Sequence, residues 1–280
     1  MKLLRVLAAI AAAGFAVLAY VYLTLPDVRV LVTTNPTTTA WMDMRAREAA
    51  AAGQPLRRVH RWVPYTRISS NLKRAVLAAE DDAFFEHEGV DLEQLKNAIQ
   101  EDLQKGRAIR GASTITQQLA KNLYLSPSRD PLRKLRELII ARRLEAALQK
   151  ARIFEIYLNV IEWGDGIWGA EAASRTYFGT SAASLSREQA ALLAGSIINP
   201  RLYSPAHPPA RLLRRQRIIL SRMGGYEPPP AVAAPAPVPA EAAPNTSPSS
   251  TDAIDGDQPL PDEAPAQPLP DVTATEPSAP

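Results

Sequence analysis

The chain contains no cysteine, so neither a disulfide framework nor a thiolate-held metal is open to it. Histidine is almost absent as well. His60, His87 and His207 are widely separated and show no ligand spacing, which argues against a zinc site. No stretch alternates apolar and polar residues for long enough to specify a strand. Basic residues stop before Glu227: residues 227–280 hold nine acids, no Lys or Arg, and runs such as PPPAVAAPAPVPAEAAP. That composition cannot bury enough apolar surface to offset chain entropy and predicts a disordered acidic tail. At the other end it is charge that is missing. Residues 7–25, LAAIAAAGFAVLAYVYLTL, carry none and are long enough to cross a bilayer as a helix. Lys2 and Arg5 precede the run, which favours a cytoplasmic N-terminus and an exported remainder. A cleaved signal would have a shorter apolar region ending in an A-x-A-like site, so a retained anchor is expected.

The chain therefore divides into a stub and transmembrane anchor (1–25), a domain (26–226) and the Pro/Ala-rich tail (227–280). All 32 Lys and Arg but only 20 of the 29 acids lie in residues 1–226. Their formal charge is +12, which the whole-chain value of +3 conceals. A basic exported domain tied to a membrane suits anionic lipid headgroups or phosphorylated substrates. Nucleic acid is a poor fit for a domain on that side.

Within the domain the periodicity is helical. Leu72, Ala75, Val76 and Ala79 share one helix face, with Glu80 at its C-terminal end and Ser70 as the expected cap. Asp91 can cap a helix carrying Leu92, Leu95, Ile99 and Leu103, followed by the basic loop KGRAIRG. Another helix starts near Ser113 or Thr114 and carries Ile115, Leu119 and Leu123. Asp130-Pro131 is a strong helix start, and the helix it opens is expected to run to about Lys150. Glu137 shares a stripe of that helix with Ala141, Leu144 and Leu148, and Arg133 and Lys134 lie one turn before it. Ser186 with Gln189 forms a capping box, and Pro208-Pro209 opens an arginine-rich last helix ending at Gly224-Gly225. The fold class is mainly α.

The stretch AEDDAFFEHEGVD (79–91) crowds acids against two phenylalanines. Buried acids need partners, so it reads either as a polar helix end and turn or as a catalytic carboxylate in a partly apolar cleft.

Five ordered blocks decide between these: AAEDDAFFEHEGVD (78–91), GASTITQQLAKNLYL (111–125), RKLRE (133–137), IFEIYLNVIEWGDGIWGAEAASRTYFG (153–179) and LLAGSIINPRLYSP (192–205). Together they resemble the peptidoglycan glycosyltransferase domain, which polymerises lipid-linked disaccharide and also occurs in bifunctional penicillin-binding proteins. NPTTTAWM (35–42) and RWVPYTRIS (61–69) look more like its monofunctional biosynthetic members. The resemblance covers roughly residues 26–222. It implies a lysozyme-like, mainly α fold with a mobile basic segment at Lys105–Arg110. It implies that Glu80 is the general base acting on the acceptor 4-hydroxyl and that Glu137 is the second acid, near the donor pyrophosphate. Ser113, Gln117, Lys121 and Asn122 match the second block, and Arg133 and Lys134 the phosphate-facing cations. The implied substrate is lipid II (GlcNAc-MurNAc-pentapeptide on undecaprenyl pyrophosphate), with the growing glycan as acceptor or product strand. No cofactor is obligatory; a divalent cation (Mg or Mn) at the pyrophosphate is allowed, with Glu137 as a candidate holder. The implied location is the cytoplasmic (inner) membrane, among other cell-wall synthesis proteins. IINP (197–200) replaces the usual L-P-N-P.

The chemistry suits these residues. An alcohol needs a base within hydrogen-bond reach, worth about 10²–10⁴-fold. Burial beside Phe84 and Phe85 would raise that base's pKa, and nearby cations would lower it. A pyrophosphate leaving group needs cations, and Arg133, Lys134 and Lys121 are the candidates. Asp81, Asp82, Glu86 and Glu88 are left as solvated or structural acids, and His87 as a local hydrogen-bonding residue. Trp163, Trp168 and Gly164, Gly166 and Gly169 are expected to shape and pack a turn. Two rivals stand beside this reading: a glycan-cleaving muramidase or lytic transglycosylase, and an inactive membrane scaffold. Ser70-Asn71-Leu72-Lys73 meets the Ser-x-x-Lys spacing of an acyl-accepting serine, yet no K-T-G or S-x-N follows it, and no transpeptidase activity is expected.

Overall fold

The computed structural model describes residues 2–89, 113–126 and 132–225. The helix expected from Asp91 to Leu103, the basic segment Lys105–Arg110, the Asp130-Pro131 start and the tail 227–280 lie outside the described residues.

The first helix, α1 (Lys2–Leu23), is 22 residues long and carries only Lys2 and Arg5 as charged side chains. Its side chains face outward: Leu3, Ile10, Phe15 and Leu23 are all exposed, and only Val21 is buried. An apolar helix that buries almost nothing of itself is long and apolar enough for a bilayer. Its last carbonyls are met from the domain. Arg143 donates to Tyr22 O at 2.7 Å and to Leu25 O at 3.5 Å, and its guanidinium lies 4.2 Å over the Tyr22 ring.

The domain follows with α2 (Ala40–Ala51), capped by Thr39, and a short strand β1 (Val59–His60). Next, α3 (Ser70–Glu80) buries Leu72, Ala75, Val76 and Leu77. Its cap differs from expectation. Ser69 Oγ accepts from Leu72 N at 3.1 Å, and Ser70 is an exposed first-turn residue. A cap needs extended backbone three residues before the N–H it serves, and Ser69 has it (ψ 144°).

α4 (Ile115–Tyr124) is capped by Thr114, whose hydroxyl accepts from Gln117 N. α5 (Leu132–Ala147) buries Glu137, Ile140, Ala141 and Leu144 on one stripe, as the spacing requires. It stops before Lys150. Gln149 is extended (ψ 149°) and opens a separate helix, α6 (Lys150–Val160). No Gly or Pro marks this break. It lets Leu148 stay in the core while Ile153, Phe154 and Tyr157 enter it from a new direction.

β2 (Glu162–Gly164) and β3 (Ile167–Trp168) make a hairpin to which β1 adds in parallel, in the order β1-β3-β2. Trp163 and Trp168 are buried and Gly166 turns with φ +66°, so these residues do form and pack a turn. α7 (Ala170–Phe178), α8 (Arg187–Ser196) and α9 (Ala210–Arg222) complete the described domain. Ser186 and Gln189 form both bonds of the capping box on α8. Helices dominate and the strands are two or three residues long, as the missing alternation predicts. α3, α8 and α9 pack together on one side, and α4, α5 and α6 on the other.

Candidate active site

Glu80 is the last residue of α3, where the helix ends between the two groups of helices. Its side chain is 12 % exposed. Oε2 accepts from Gln118 Nε2 at 3.0 Å, and Oε1 from Arg215 Nη2 at 3.1 Å. Tyr157 donates its hydroxyl to Gln118 Oε1 at 2.8 Å, which turns the amide nitrogen toward Glu80. Burial raises the pKa of Glu80, against the lowering effects of Gln118, Arg215 and Lys121. Burial also lifts the Tyr157 phenol well above its ordinary range, so it stays a neutral donor.

The other described acids of this stretch, Asp81, Asp82, Glu86 and Glu88, have structural or surface places. Asp81 is buried and accepts from Ile115 N, the first amide of α4, at 2.8 Å. A carboxylate at a helix N-terminus meets both a free N–H and the positive end of the dipole. His87 Nδ1 accepts from Gly89 N at 3.1 Å, so Nε2 carries the proton it shares with Asp81 at 3.0 Å. His87 is thus a local hydrogen-bonding residue. Phe84 is fully buried against Phe85 and Phe154, with ring centroids 4.9 and 5.5 Å away. Asp82, Glu86 and Glu88 are exposed, and Glu88 pairs with Arg142.

The second carboxylate lies on α5. Glu137 is buried, and its two oxygens are held by Arg133 Nη1 at 3.3 Å and Lys134 Nζ at 2.5 Å. Lys134 also donates to Gln117 Oε1 at 3.1 Å, which joins α4 to this cluster. Both cations keep surface: their side chains are 32 % and 51 % exposed. Lys121 is close enough to the two acids to feel the charges of both Glu137 and Glu80. Burial lowers its pKa, and its Nζ sits 5.4 Å from the Trp41 ring centre. Asn122 spends its amide on Gln118 O at 2.8 Å. Ser113 is exposed just ahead of the Thr114 cap.

Thus Gln117, Arg133, Lys134 and Glu137 come together, Lys121 feels both this cluster and Glu80, and Asn122 bonds the Gln118 carbonyl. A cavity of about 280 Å³ opens beside them, lined by Trp41, Gln118, Lys121, Asn122, Tyr157 and Arg201 among others. Trp41 Nε1 is buried without a partner among the described residues. Sequence reasoning missed Gln118, Tyr157, Arg215 and Trp41. Gln118 stands beside the chosen Gln117 in TITQQ, and helical spacing alone separates them. Gln117 is one turn from Lys121 by i+4, whereas Gln118 is turned about 100° toward α3.

A family model described as transglycosylase matches residues 47–224, a span that contains both acids and every cation of this cluster. The chain belongs to the transglycosylase family. It is 50 % identical over 193 residues to a protein of Herminiimonas arsenicoxydans called biosynthetic peptidoglycan transglycosylase, covering 69 % of this chain and 84 % of that one. Proteins of the same name from Laribacter hongkongensis (51 % over 189 residues; 68 % and 83 %) and Chromobacterium violaceum (54 % over 168 residues; 60 % and 74 %) are similar to it as well. In this transglycosylase the carboxylate at the end of α3 is thus ringed by Gln118, Arg215 and Lys121, and the carboxylate on α5 by two accessible cations.

Proposed function

We propose that this transglycosylase is the glycosyltransferase that polymerises lipid II into β-1,4 glycan strands, with inversion at the donor carbon and release of undecaprenyl pyrophosphate. One observation carries the reading: a mostly buried carboxylate, Glu80, with one partner on each oxygen, shares the field of Lys121 with a cluster of accessible cations. That pairs a base with a phosphate clamp, as the reaction requires.

In the reaction, the acceptor 4-hydroxyl gives its proton to Glu80 as its oxygen bonds to the donor C1. The C1–O bond to pyrophosphate breaks, and the leaving group takes the electron pair. No proton need reach it, because Lys121, Arg133 and Lys134 meet its negative charge. Glu137 holds Arg133 and Lys134 in place. The protonated Glu80 then returns its proton to solvent. Gln117 joins the same cluster through Lys134, and Asn122 bonds the Gln118 carbonyl.

A divalent metal fits this arrangement poorly. Both oxygens of Glu137 are engaged by cations, and no group of three metal-ligating side chains lies together among the described residues. No step is routed through one. A glycan-cleaving enzyme is also disfavoured, because it has no pyrophosphate for the cations to stabilise. Ser70 lies exposed, while Lys73 Nζ is buried, donates to Tyr65 O at 3.3 Å and sits 4.0 Å over the Tyr65 ring. With no base directed at Ser70, penicillin-sensitive transpeptidation is not expected, and a stoichiometric β-lactam adduct at Ser70 would contradict that. α1 is the single-pass anchor in the cytoplasmic (inner) membrane, with the domain on the outer side beside its lipid-linked substrate and other cell-wall synthesis proteins.

The test is incubation of the purified chain with lipid-linked precursor and, separately, with finished glycan. Polymer from the first and no cleavage of the second is expected. Cleavage of glycan without polymerisation would overturn the reading.

A further inference from the structure

Arg215 occupies a position where an amphipathic helix would ordinarily place a hydrophobic residue. α9 buries Leu212 and Ile219, and Arg215 lies three residues after the first and four before the second, on the same side. It reaches Glu80 because α8 and α9 approach closely at Gly195. A Cβ there would stand 3.0 Å from Leu212 Cδ1 and 3.7 Å from Arg215 Cγ. Nη2 then bonds Glu80 Oε1 at 3.1 Å and Ala79 O at 3.3 Å, while Nε is buried without a partner among the described residues. An ion pair that leaves a buried donor unsatisfied is a poor stabilising device, and an aliphatic side chain would pack on this stripe without that cost.

The charges facing Glu80 narrow the explanation. From α4 comes Lys121, which is shared with Glu137. From α6 comes the neutral Tyr157. Asp81, next in the chain, spends its carboxylate on Ile115 N and His87. α8 brings only Arg187 and Glu188, both exposed in its first turn. Among the described residues, Arg215 is the cation bonded directly to Glu80, and a guanidinium keeps its charge at every working pH.

We propose that Arg215 is a positioning residue for the transfer reaction: from α9 it fixes Glu80 Oε1 and keeps the carboxylate ionised and ready to take the acceptor proton. This rests on the reading of Glu80 as the base. Burial drives Glu80 toward its protonated form, and Arg215 opposes that drive. With Oε1 held by Arg215 and Oε2 by Gln118, the remaining lone pairs are aimed in fixed directions.

The experiment is the pH dependence of kcat/KM on lipid-linked disaccharide for the full chain and for Arg215→Gln and Arg215→Lys, with thermal unfolding run alongside. Arg215→Gln should lose about tenfold or more at pH 6 and progressively less toward pH 8, because the loss lies in the ionised fraction of Glu80. Arg215→Lys should restore much of the loss on the acid side. A Gln-to-parent ratio that is constant with pH, or a Lys variant indistinguishable from Gln, overturns the proposal. Should Arg215→Gln fail to fold, Arg215→Lys decides alone: activity within about tenfold of the parent and an unmoved acid limb support the proposal, and a larger loss equal at every pH overturns it. Glu80→Gln, run in the same assay, separates the two levels. If that variant turns over, the base assignment itself is wrong. If it is dead while the Arg215→Gln ratio is flat, only the role of Arg215 fails.

Discussion

Glu137 is buried and Glu80 nearly so, and the two acids have different partners. Glu80 is held by one cation and one amide, whereas Glu137 is held by two cations that retain surface for a ligand. Replacing Glu137 by Gln removes the charge that fixes Arg133 and Lys134 and should change both kcat and KM, where loss of a base alone would fall on kcat. Steady-state kinetics decides this, and an Glu137→Gln effect confined to kcat would contradict the phosphate-side role. The pH profile follows from the sign at Glu80. Its folded pKa lies above the ordinary glutamate value because it is buried, and the base must be ionised to act. Activity should therefore fall as pH is lowered, beginning at a higher pH than an exposed glutamate would give. A kcat/KM that stays flat down to about pH 5 would show that this group does not limit turnover. At this scale the two acids, Lys121 and the Arg133-Lys134 pair were legible, because ordered motifs carry residue types at fixed spacing. Gln118, Tyr157 and Arg215 were not. Arg215 lies 135 residues from Glu80, and only the packing of α9 on α3 reveals what it touches.

Helix existence was read well, and helix ends less so. The stripe of Glu137, Ala141 and Leu144 fixes the face of α5, yet nothing in LEAALQKARIF marks the break at Gln149. It is set by where Leu148 and Phe154 find space in the core. The cap of α3 moved by one residue for a similar reason, since Ser69 and Ser70 are chemically alike and only backbone geometry distinguishes them. The glycines at the two ends of α7 provide a sharper test. Gly169 has φ +83°, and an added Cβ would lie 2.6 Å from Asn159 O. Gly179 has φ +65° with open space around it. Gly179→Ala should cost about 1 kcal/mol from backbone strain alone. Gly169→Ala should cost at least about 2 kcal/mol more, because backbone must move. Thermal unfolding of the two variants measures the difference, and equal losses would mean the strand connection yields more easily than its packing implies.

At the scale of the described molecule, the apolar first helix and the site are joined through one helix. Arg143 ties the end of α1 to α5, and α5 carries Glu137, Arg133 and Lys134. The end of the apolar helix is thus set against the helix bearing the accessible cations. Charge acts at this scale too. Residues 1–226 carry +12, and accessible cations attract an anionic headgroup in a salt-dependent way. Raising NaCl from about 50 mM to about 500 mM should raise KM for the lipid-linked substrate several-fold while kcat changes less. A salt-independent KM would mean that long-range charge does not guide binding. Composition revealed the apolar N-terminal helix and the charge imbalance at once. How the anchor meets the domain depends on Arg143 reaching carbonyls more than a hundred residues away, which no local pattern encodes.

The central claim is that Glu80 removes the acceptor proton. Steady-state polymerisation of lipid-linked disaccharide by Glu80→Gln, with folding confirmed by circular dichroism, tests it most directly. The amide keeps the shape and can still meet Gln118 or Arg215, but it cannot take the proton. A loss in kcat of at least about a hundredfold, with substrate binding retained, is predicted. A folded variant that polymerises within about tenfold of the parent would contradict the account.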